Sequence, residues 1–297
     1  MAKQKKIKTT NHAYALVTGA SMGIGRALSI ETAKRGYHLA LVALPGSNLE
    51  KLAAYIRKHF DVTVIFMEID LTTPQAPMQI FHWIKKENIT LQILINNAGL
   101  GHLGPFTDYS YEFYQKLIRL NIESVVLLSR LFIPELQKNY ESYILNLGSI
   151  ASFFPIPYKV AYAGSKMFVY SFSRALREEL KKDNIKVSVL CPGPILTNQD
   201  VIARIRKGGF WGKLSCMRAQ DMAKTTLNKL FRGKAVIIPG AVNKLLTCLN
   251  FILPPGLKQQ ILARKFSVQH KIEHDESKTG EDNQFRHTAN SKTNANE

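Results

Sequence analysis

Residues 18–25 read Thr18-Gly19-Ala20-Ser21-Met22-Gly23-Ile24-Gly25. They follow an apolar run, Tyr14–Thr18, and lead into a stretch with helical spacing, Gly23–Arg35. Gly19 permits a tight turn where a side chain would clash. Gly23 lets the backbone approach a pyrophosphate, and Gly25 lets the opening helix pack close to the strand. Ser21, Met22 and Ile24 complete the loop. The helix N-terminus then offers free N–H groups and partial positive charge to phosphates. A lone glycine cluster is more often an ordinary turn, but at the first strand–loop–helix unit it points to a nucleotide site.

Outward from this loop, short apolar runs alternate with longer amphipathic ones. Strands are predicted at Tyr14–Thr18, His38–Leu44, Val62–Met67, Leu91–Ile95, Tyr143–Leu147, Lys186–Leu190 and Ala235–Ile238. Each is a Val/Ile/Leu-rich run, as parallel strands buried on both faces tend to be. Helices are predicted at Gly23–Arg35, Asn48–His59, Gln75–Glu87, Tyr109–Leu136, Val160–Lys182 and Gln220–Phe231. Strands alternating with crossover helices imply an α/β fold, a doubly wound parallel sheet of Rossmann type with about seven strands and helices on both faces.

The 297 residues are 45% apolar and 21% charged, a globular composition. One domain is expected over 12–267, after a basic extension at 1–11 and before a polar tail at 268–297 that cannot bury enough surface to stay ordered. Asn243–Leu253 is a short, very apolar helix candidate. It is expected to close a pocket from inside, with contact to a membrane surface as the competing reading. No apolar run reaches the ~18–20 residues of a spanning helix, and Ala13–Val17 is too short for a signal segment. Cys191, Cys216 and Cys248 are widely spaced and odd in number, which disfavours a disulfide scaffold or a metal site and fits a reducing, cytoplasmic location. The net charge is +18. Between Asn198 and Ser267 thirteen Lys or Arg face only Asp200 and Asp221, so an anionic partner is expected there.

Tyr162-Ala163-Gly164-Ser165-Lys166 is a YxxxK motif on a predicted helix. Residues i and i+4 share one face, so a phenol and an ammonium can share a site. A free phenol titrates near pH ~10. A neighbouring ammonium is expected to lower that value into the range useful for proton transfer. Alone, such a pair is a common coincidence. Here Ser149 ends a strand thirteen residues before Tyr162. Asn96-Asn97-Ala98-Gly99 and Ile69-Asp70-Leu71-Thr72 each follow a strand, and Asn121 lies on the long helix. Cys191-Pro192-Gly193-Pro194-Ile195-Leu196-Thr197 follows the sixth strand.

In their order and placement, from Thr18 to Thr197, these motifs resemble the short-chain dehydrogenase/reductase family in its single-domain branch. The resemblance implies an oxidoreductase that interconverts a carbonyl and a secondary alcohol with a nicotinamide dinucleotide. Tyr162 would be general acid or base, and Lys166 would lower its pKa and hold the nicotinamide ribose. Ser149 would polarise the substrate oxygen, and Asn121 would hold a water linking Lys166 to solvent. Asp70 and Leu71 would border the adenine, and Asn97, Ala98 and Gly99 would line the cleft. Ile195 and Thr197, after Pro192 and Gly193, would hold the carboxamide. Bland alternatives are a cap or turn role for Asp70, a buried polar role for Asn121 and a turn role for Thr197.

The second strand ends Ala43-Leu44-Pro45 without the acidic residue that would bind a ribose 2′-hydroxyl, and Leu44 and Met22 stand where NADP users of the family often carry Arg or Lys. Arg26 is expected to run along its helix, while Ser47 and Asn48 could bond a phosphate. The absence of a repelling carboxylate and the basic surface favour NADP, with NAD still open. A lid is expected at about 198–216, with Arg204, Arg206, Lys207, Phe210 and Trp211, and Phe153, Phe154, Pro155, His102 and Leu103 would line an apolar mouth. His102 is read as a wall rather than a base. The implied substrate is an apolar ketone or alcohol, such as a 3-oxoacyl thioester on coenzyme A or an acyl carrier, or a steroid-like compound. Family analogy implies a homodimer or homotetramer through the two long helices. The competing readings are a non-catalytic dinucleotide sensor or scaffold of the same fold, and a nucleic-acid binder. Intact Ser, Tyr and Lys weigh against the first, and the lack of a basic–aromatic motif against the second.

Overall fold

The computed structural model describes residues 13–196 and 217–252, with 254, 256, 259–264, 266 and 267. The expected basic extension, the lid, Thr197 and the polar tail lie outside the described residues. Seven parallel strands form one sheet: β1 (Ala13–Thr18), β2 (His38–Ala43), β3 (Val64–Glu68), β4 (Thr90–Asn96), β5 (Ser142–Leu147), β6 (Ile185–Leu190) and β9 (Val236–Ile237). Their spatial order is β3-β2-β1-β4-β5-β6-β9. The chain winds outward in one direction from β1 and in the other from β4. The crevice where ligands bind in such sheets therefore opens at the carboxyl ends of β1 and β4. Two further strands, β7 (Ile195–Leu196) and β8 (Met217–Arg218), pair on their own.

Alternation along the strands feeds two core layers. Ala15, Val17, Leu39 and Leu41 pack with α1 (Gly23–Ala33), α2 (Leu49–His59) and α7 (Ala219–Phe231). Leu16, Ala40 and Val42 pack on the other face with α3 (Ala76–Lys86) and α5 (Ser124–Leu136). Helix α7 shows why its sequence is helical: Ala219, Met222, Ala223, Thr226, Leu227 and Leu230 are its buried residues, one stripe at helical spacing. Each fully buried leucine contributes roughly 1.5–3 kcal/mol.

The long helix expected over Tyr109–Leu136 is interrupted. It begins as α4 (Tyr111–Ile118), widens to a π-helical turn at Arg119–Glu123 and continues as α5. A π turn inserts one residue into the helical ladder, a device frequent at functional sites, and this one contains the buried Asn121. Helix α6 (Val160–Glu179) ends in a 3₁₀ turn. The last helix, α8 (Ala241–Ile252), turns Asn243 and Thr247 inward and leaves Lys244, Leu245 and Cys248 exposed. Its described inward contacts are thus polar, not the apolar ones its composition suggests. Among the described residues no helix is long and apolar enough to cross a membrane.

Candidate active site

At the carboxyl end of β1, Gly19 has φ 63°, and a Cβ there would lie 2.9 Å from the Ala98 Cα. A Cβ on Gly25 would fall 2.0 Å from the Gly19 carbonyl oxygen. The loop and helix therefore approach closer than any side chain permits. Thr18 Oγ1 accepts hydrogen bonds from the backbone N–H groups of Asn97 (3.0 Å) and Ala98 (3.1 Å). The Asn97 amide donates to the carbonyls of Thr18 (2.8 Å) and Gly19 (3.0 Å). These bonds lock the glycine loop to the end of β4. Helix α1 starts at Gly23 with no side-chain cap and no acidic residue in its first turn. Its leading N–H groups are thus free of a competing side chain, and a backbone cradle with no Cβ filling it fits a dinucleotide pyrophosphate. Ser21 and Ile24 are half-buried at the loop, and Met22 is exposed.

The expected residues around β3 and β6 divide. The Asp70 carboxylate accepts from Thr72 N–H at 2.8 Å, and its carbonyl accepts from Thr73 Oγ1 at 2.8 Å, so Asp70 builds the turn into α3. Leu71 is buried in the core below. The Pro192 carbonyl accepts from Ile150 N–H at 3.0 Å, joining the Ser149 turn to Pro192-Gly193. A Cβ on Gly193 would strike the Asn243 side chain at 2.4 Å. Ile195 is buried in β7. At the second strand, Met22 and Leu44 are exposed, and Arg26 lies over the Tyr55 ring at 5.7 Å. The neighbouring Gly46 N–H donates to Glu68 Oε2 at 3.1 Å. That carboxylate, on β3, was not visible in the reading of β2 alone.

The catalytic candidates come together. Ser149 caps the 3₁₀ turn Ile150–Phe153, accepting from Ala151 N–H at 3.1 Å, while Ser152 Oγ accepts from Ser149 N–H at 3.2 Å. Ser152 in turn donates to the Lys166 carbonyl at 2.8 Å, which fixes the Ser149 turn against α6. The Ser149 hydroxyl is close enough to the Tyr162 phenol to pull its pKa downward. Asn121 is fully buried: its Oδ1 accepts from Leu100 N–H (2.8 Å), and its Nδ2 donates to the Leu100 carbonyl (2.9 Å) and Ser165 Oγ (3.0 Å). A Cβ on Gly99 would lie 3.2 Å from both Asn121 Oδ1 and Lys166 Nζ, so Gly99 is where these two groups converge. Asn121 therefore combines the backbone-bonded role with the position next to Lys166.

One electrostatic expectation is overturned. Lys166 Nζ donates to the Leu147 carbonyl at 2.8 Å and lies 5.9 Å from the Tyr162 ring centroid. Burial raises the Tyr162 phenol above its ordinary value, against the opposing pull of Ser149. Burial also lowers Lys166 from 10.5 to about 8. Desolvation dominates both shifts, opposed by Ser149 at Tyr162 and by Cys191 at Lys166. Cys191 is buried beside this turn, its Sγ 3.1 Å from where a Cβ on Gly148 would lie, and burial pushes its thiol up to about 12. Ser152, Ser165, Cys191 and Asn243 were missed as site residues. Only Ser152 left a readable signal, a serine three residues after a strand-ending serine, as in a capping box.

The cluster is bordered by the loop after β4 and the turn before α6. Gly104 N–H donates to the Tyr158 carbonyl at 2.9 Å, and Tyr158 takes the left-handed conformation, φ 65°. A bulky residue in that conformation is a genuine outlier.

A doubly wound sheet with a glycine cradle at its switch point and a Ser–Tyr–Lys–Asn cluster beside it has the form of a dinucleotide site with a polar reactive cluster. The family model described as short chain dehydrogenase matches residues 13–205, and the chain belongs to that family. A very-long-chain 3-oxoacyl-CoA reductase of Laccaria bicolor is 32% identical over 188 residues, covering 63% of this chain and 56% of the relative. Human 17-beta-hydroxysteroid dehydrogenase type 3 is 35% identical over 189 residues, covering 62% and 59%. The chain thus spans less than two thirds of the length of these curated relatives. Among solved structures, a short-chain dehydrogenase from Sphingobium yanoikuyae in complex with NADPH superposes with TM-score 0.69 at 28% identity, covering 81% of this chain and 93% of that one.

Proposed function

We propose that this chain is an NAD(P)-dependent oxidoreductase that interconverts a ketone and a secondary alcohol on an apolar substrate, a 3-oxoacyl thioester foremost. The observation that carries the reading is the convergence of Ser149, Tyr162, Lys166 and Asn121 beside the Gly19–Gly25 cradle. The names of the relatives, a 3-oxoacyl-CoA reductase and a hydroxysteroid dehydrogenase, support an apolar oxo substrate. When bound, a nicotinamide dinucleotide supplies or accepts the hydride. Gly19, Gly23 and the first turn of α1 would hold its pyrophosphate, and Lys166 and Asn97 would border its ribose and cleft wall. The residues of the chain handle the oxygen. Ser149 and Tyr162 lie side by side and would present two hydroxyls to the carbonyl. The raised phenol stays protonated at neutral pH and can give its proton to the developing alkoxide. Lys166, lowered to about 8, exchanges protons close to neutrality.

NADP is the proposed cofactor. The lack of a carboxylate on β2 itself and the NADPH-bound neighbour support it, against the Glu68 carboxylate that reaches the Gly46 N–H from β3. Exposed Tyr111, Ile118, Met167 and Phe168 on α4 and α6 support a homo-oligomer packed through those helices. A solution mass equal to the 33.5 kDa monomer would overturn that part. Exposed Lys224, Arg232, Lys234 and Lys244 support steering of an anionic thioester carrier or contact with an anionic membrane surface; liposome flotation distinguishes the two. The deciding experiment is NADPH oxidation with a 3-oxoacyl-CoA by the wild type and Tyr162→Phe. Turnover in the variant should fall roughly 1,000-fold with NADPH affinity retained. Equal rates in both would refute the assignment.

A further inference from the structure

Helix α8 begins against the turn that leaves β6, and one polar side chain joins the two. Asn243, in the first turn of α8, is buried. Its amide nitrogen donates to the Pro239 carbonyl at 3.0 Å, which closes the bend from β9 into the helix. The same side chain fills the space beside Gly193. A Cβ on Gly193 would fall 2.4 Å from Asn243 Oδ1, 2.6 Å from Nδ2 and 2.7 Å from Cγ. Such distances are far inside van der Waals contact, so the 193 position takes only glycine while Asn243 is in place.

The Gly193 turn is in turn tied to the reactive cluster. The Cys191 N–H donates to the Ile237 carbonyl at 2.8 Å, so β6 and β9 enter this corner together. The Pro192 carbonyl accepts from Ile150 N–H at 3.0 Å, one residue past Ser149. The Pro194 carbonyl accepts from Met217 N–H at 3.4 Å, and Ile195 pairs with Met217. Residues 192–195 are thus a stretch of backbone strung between the Ser149 turn and the β7–β8 pair. In the sheet order, β6 lies on the Ser149 side of the switch point, and β2 and β3 lie on the other. A dinucleotide seated by its pyrophosphate on the Gly19–Gly25 cradle passes a hydride only if its nicotinamide lies beside Ser149 and Tyr162. The 192–195 backbone therefore borders the nicotinamide half and not the adenine half.

We propose that Asn243 is a positioning residue: by filling the space beside Gly193 it sets the 192–195 backbone, and with it the seat of the nicotinamide, while touching neither reactant. The inference rests on the functional reading above and adds a residue to it. Truncating Asn243 frees the turn to shift and leaves the cradle and the adenine side as they were. A residue that only stabilised α8 would change the melting temperature without separating the two halves of the cofactor.

Two affinities decide it, measured on the full chain: NADPH by its fluorescence, and 2′-phospho-ADP-ribose, which lacks the nicotinamide, by calorimetry. If NADH binds the more tightly, NADH and ADP-ribose form the pair. Asn243→Ala should weaken NADPH binding roughly 10-fold and change 2′-phospho-ADP-ribose by no more than about twofold. Gly193→Ala should weaken NADPH in the same way. Combining it with Asn243→Ala puts a methyl into the vacated space and should regain part of the loss. Thr247→Val is the control on the same helix. It loses the bond from the Thr247 hydroxyl to the Asn243 carbonyl at 2.8 Å and should lower the melting temperature without separating the two affinities. Equal weakening of both ligands in Asn243→Ala, or weakening of neither, would overturn the inference alone. A Thr247→Val variant that separates the affinities as Asn243→Ala does would also overturn it. A wild type that binds neither NADPH nor NADH would overturn the functional reading as well. Should Asn243→Ala not fold, Asn243→Ser makes the same comparison with a smaller polar side chain.

Discussion

The two walls of the crevice are built on opposite terms. On the β1 side the glycine loop is held by four hydrogen bonds, Thr18 accepting twice and Asn97 donating twice, with Asn97 Oδ1 alone left without a partner among the described residues, and Gly25 leaves the Gly19 carbonyl room that a Cβ would fill. On the β5–α6 side polar groups are held short of what water would give them. Tyr162 and Lys166 are desolvated against their charged forms, and His102 bonds nothing among the described residues. The first wall is a preformed mould, stable by itself. The second stores unfavourable free energy in the groups that meet the substrate, as reactive sites do. Changes on the first wall should therefore cost stability, and changes on the second should cost turnover while relieving strain.

The hardest test of the mould is Gly25→Ala. Its methyl would sit 2.0 Å from a backbone oxygen that cannot rotate away. We expect a loss of about 4 kcal/mol, at the upper end for overpacking, seen as a drop of roughly 10 °C in Tm. A variant that melts like the wild type would show that the loop yields and is no mould. Thr18→Val probes the same wall by chemistry instead of volume. It keeps the shape and removes the acceptor of the Asn97 and Ala98 N–H groups. Two buried donors left unpaired should cost about 3 kcal/mol in denaturant unfolding. A cost below about 1 kcal/mol would mean that water replaces the hydroxyl and that the contrast between the walls is overstated.

The mould was almost fully legible in the sequence, and the strained wall was not. The glycine spacing, the apolar runs and the chain order of Ser149, Tyr162 and Lys166 are one-dimensional signals tied to local geometry. Helix boundaries followed from the same periodicity to within a few residues, as at Val160, where α6 begins. What failed depends on three-dimensional surroundings. The π turn around Asn121 does not alter the hydrophobic period enough to be seen. The left-handed Tyr158 belongs to a residue type that gives no hint of it. The direction of the Tyr162 shift was misjudged because the spacing of Tyr and Lys reveals their proximity but not their burial. The unpartnered nitrogens of His102 become recognisable only once Tyr109 and Tyr114 are seen to bond elsewhere.

Lys166→Met gives the smallest expected change and the most direct measure of the energy stored in the second wall. Burial holds the ammonium near 8 in the folded protein, against 10.5 when solvated. Below pH 8 both folded and unfolded chains carry the charge, so the folded state bears the whole desolvation penalty, about 3 kcal/mol. Between 8 and 10.5 the folded chain has released its proton while the unfolded chain still binds one. The wild type therefore gains stability as pH rises through this window, and above it the penalty is gone. Methionine carries no charge and escapes the penalty, but it forfeits the bond to the Leu147 carbonyl, worth about 1 kcal/mol. The variant should thus be more stable than the wild type by about 2 kcal/mol at pH 7, and the advantage should vanish or reverse by pH 10.5, while turnover is lost at every pH. Paired denaturant melts at the two pH values read this directly. A difference that does not change with pH would mean that Lys166 is solvated in the folded protein and that the second wall stores nothing.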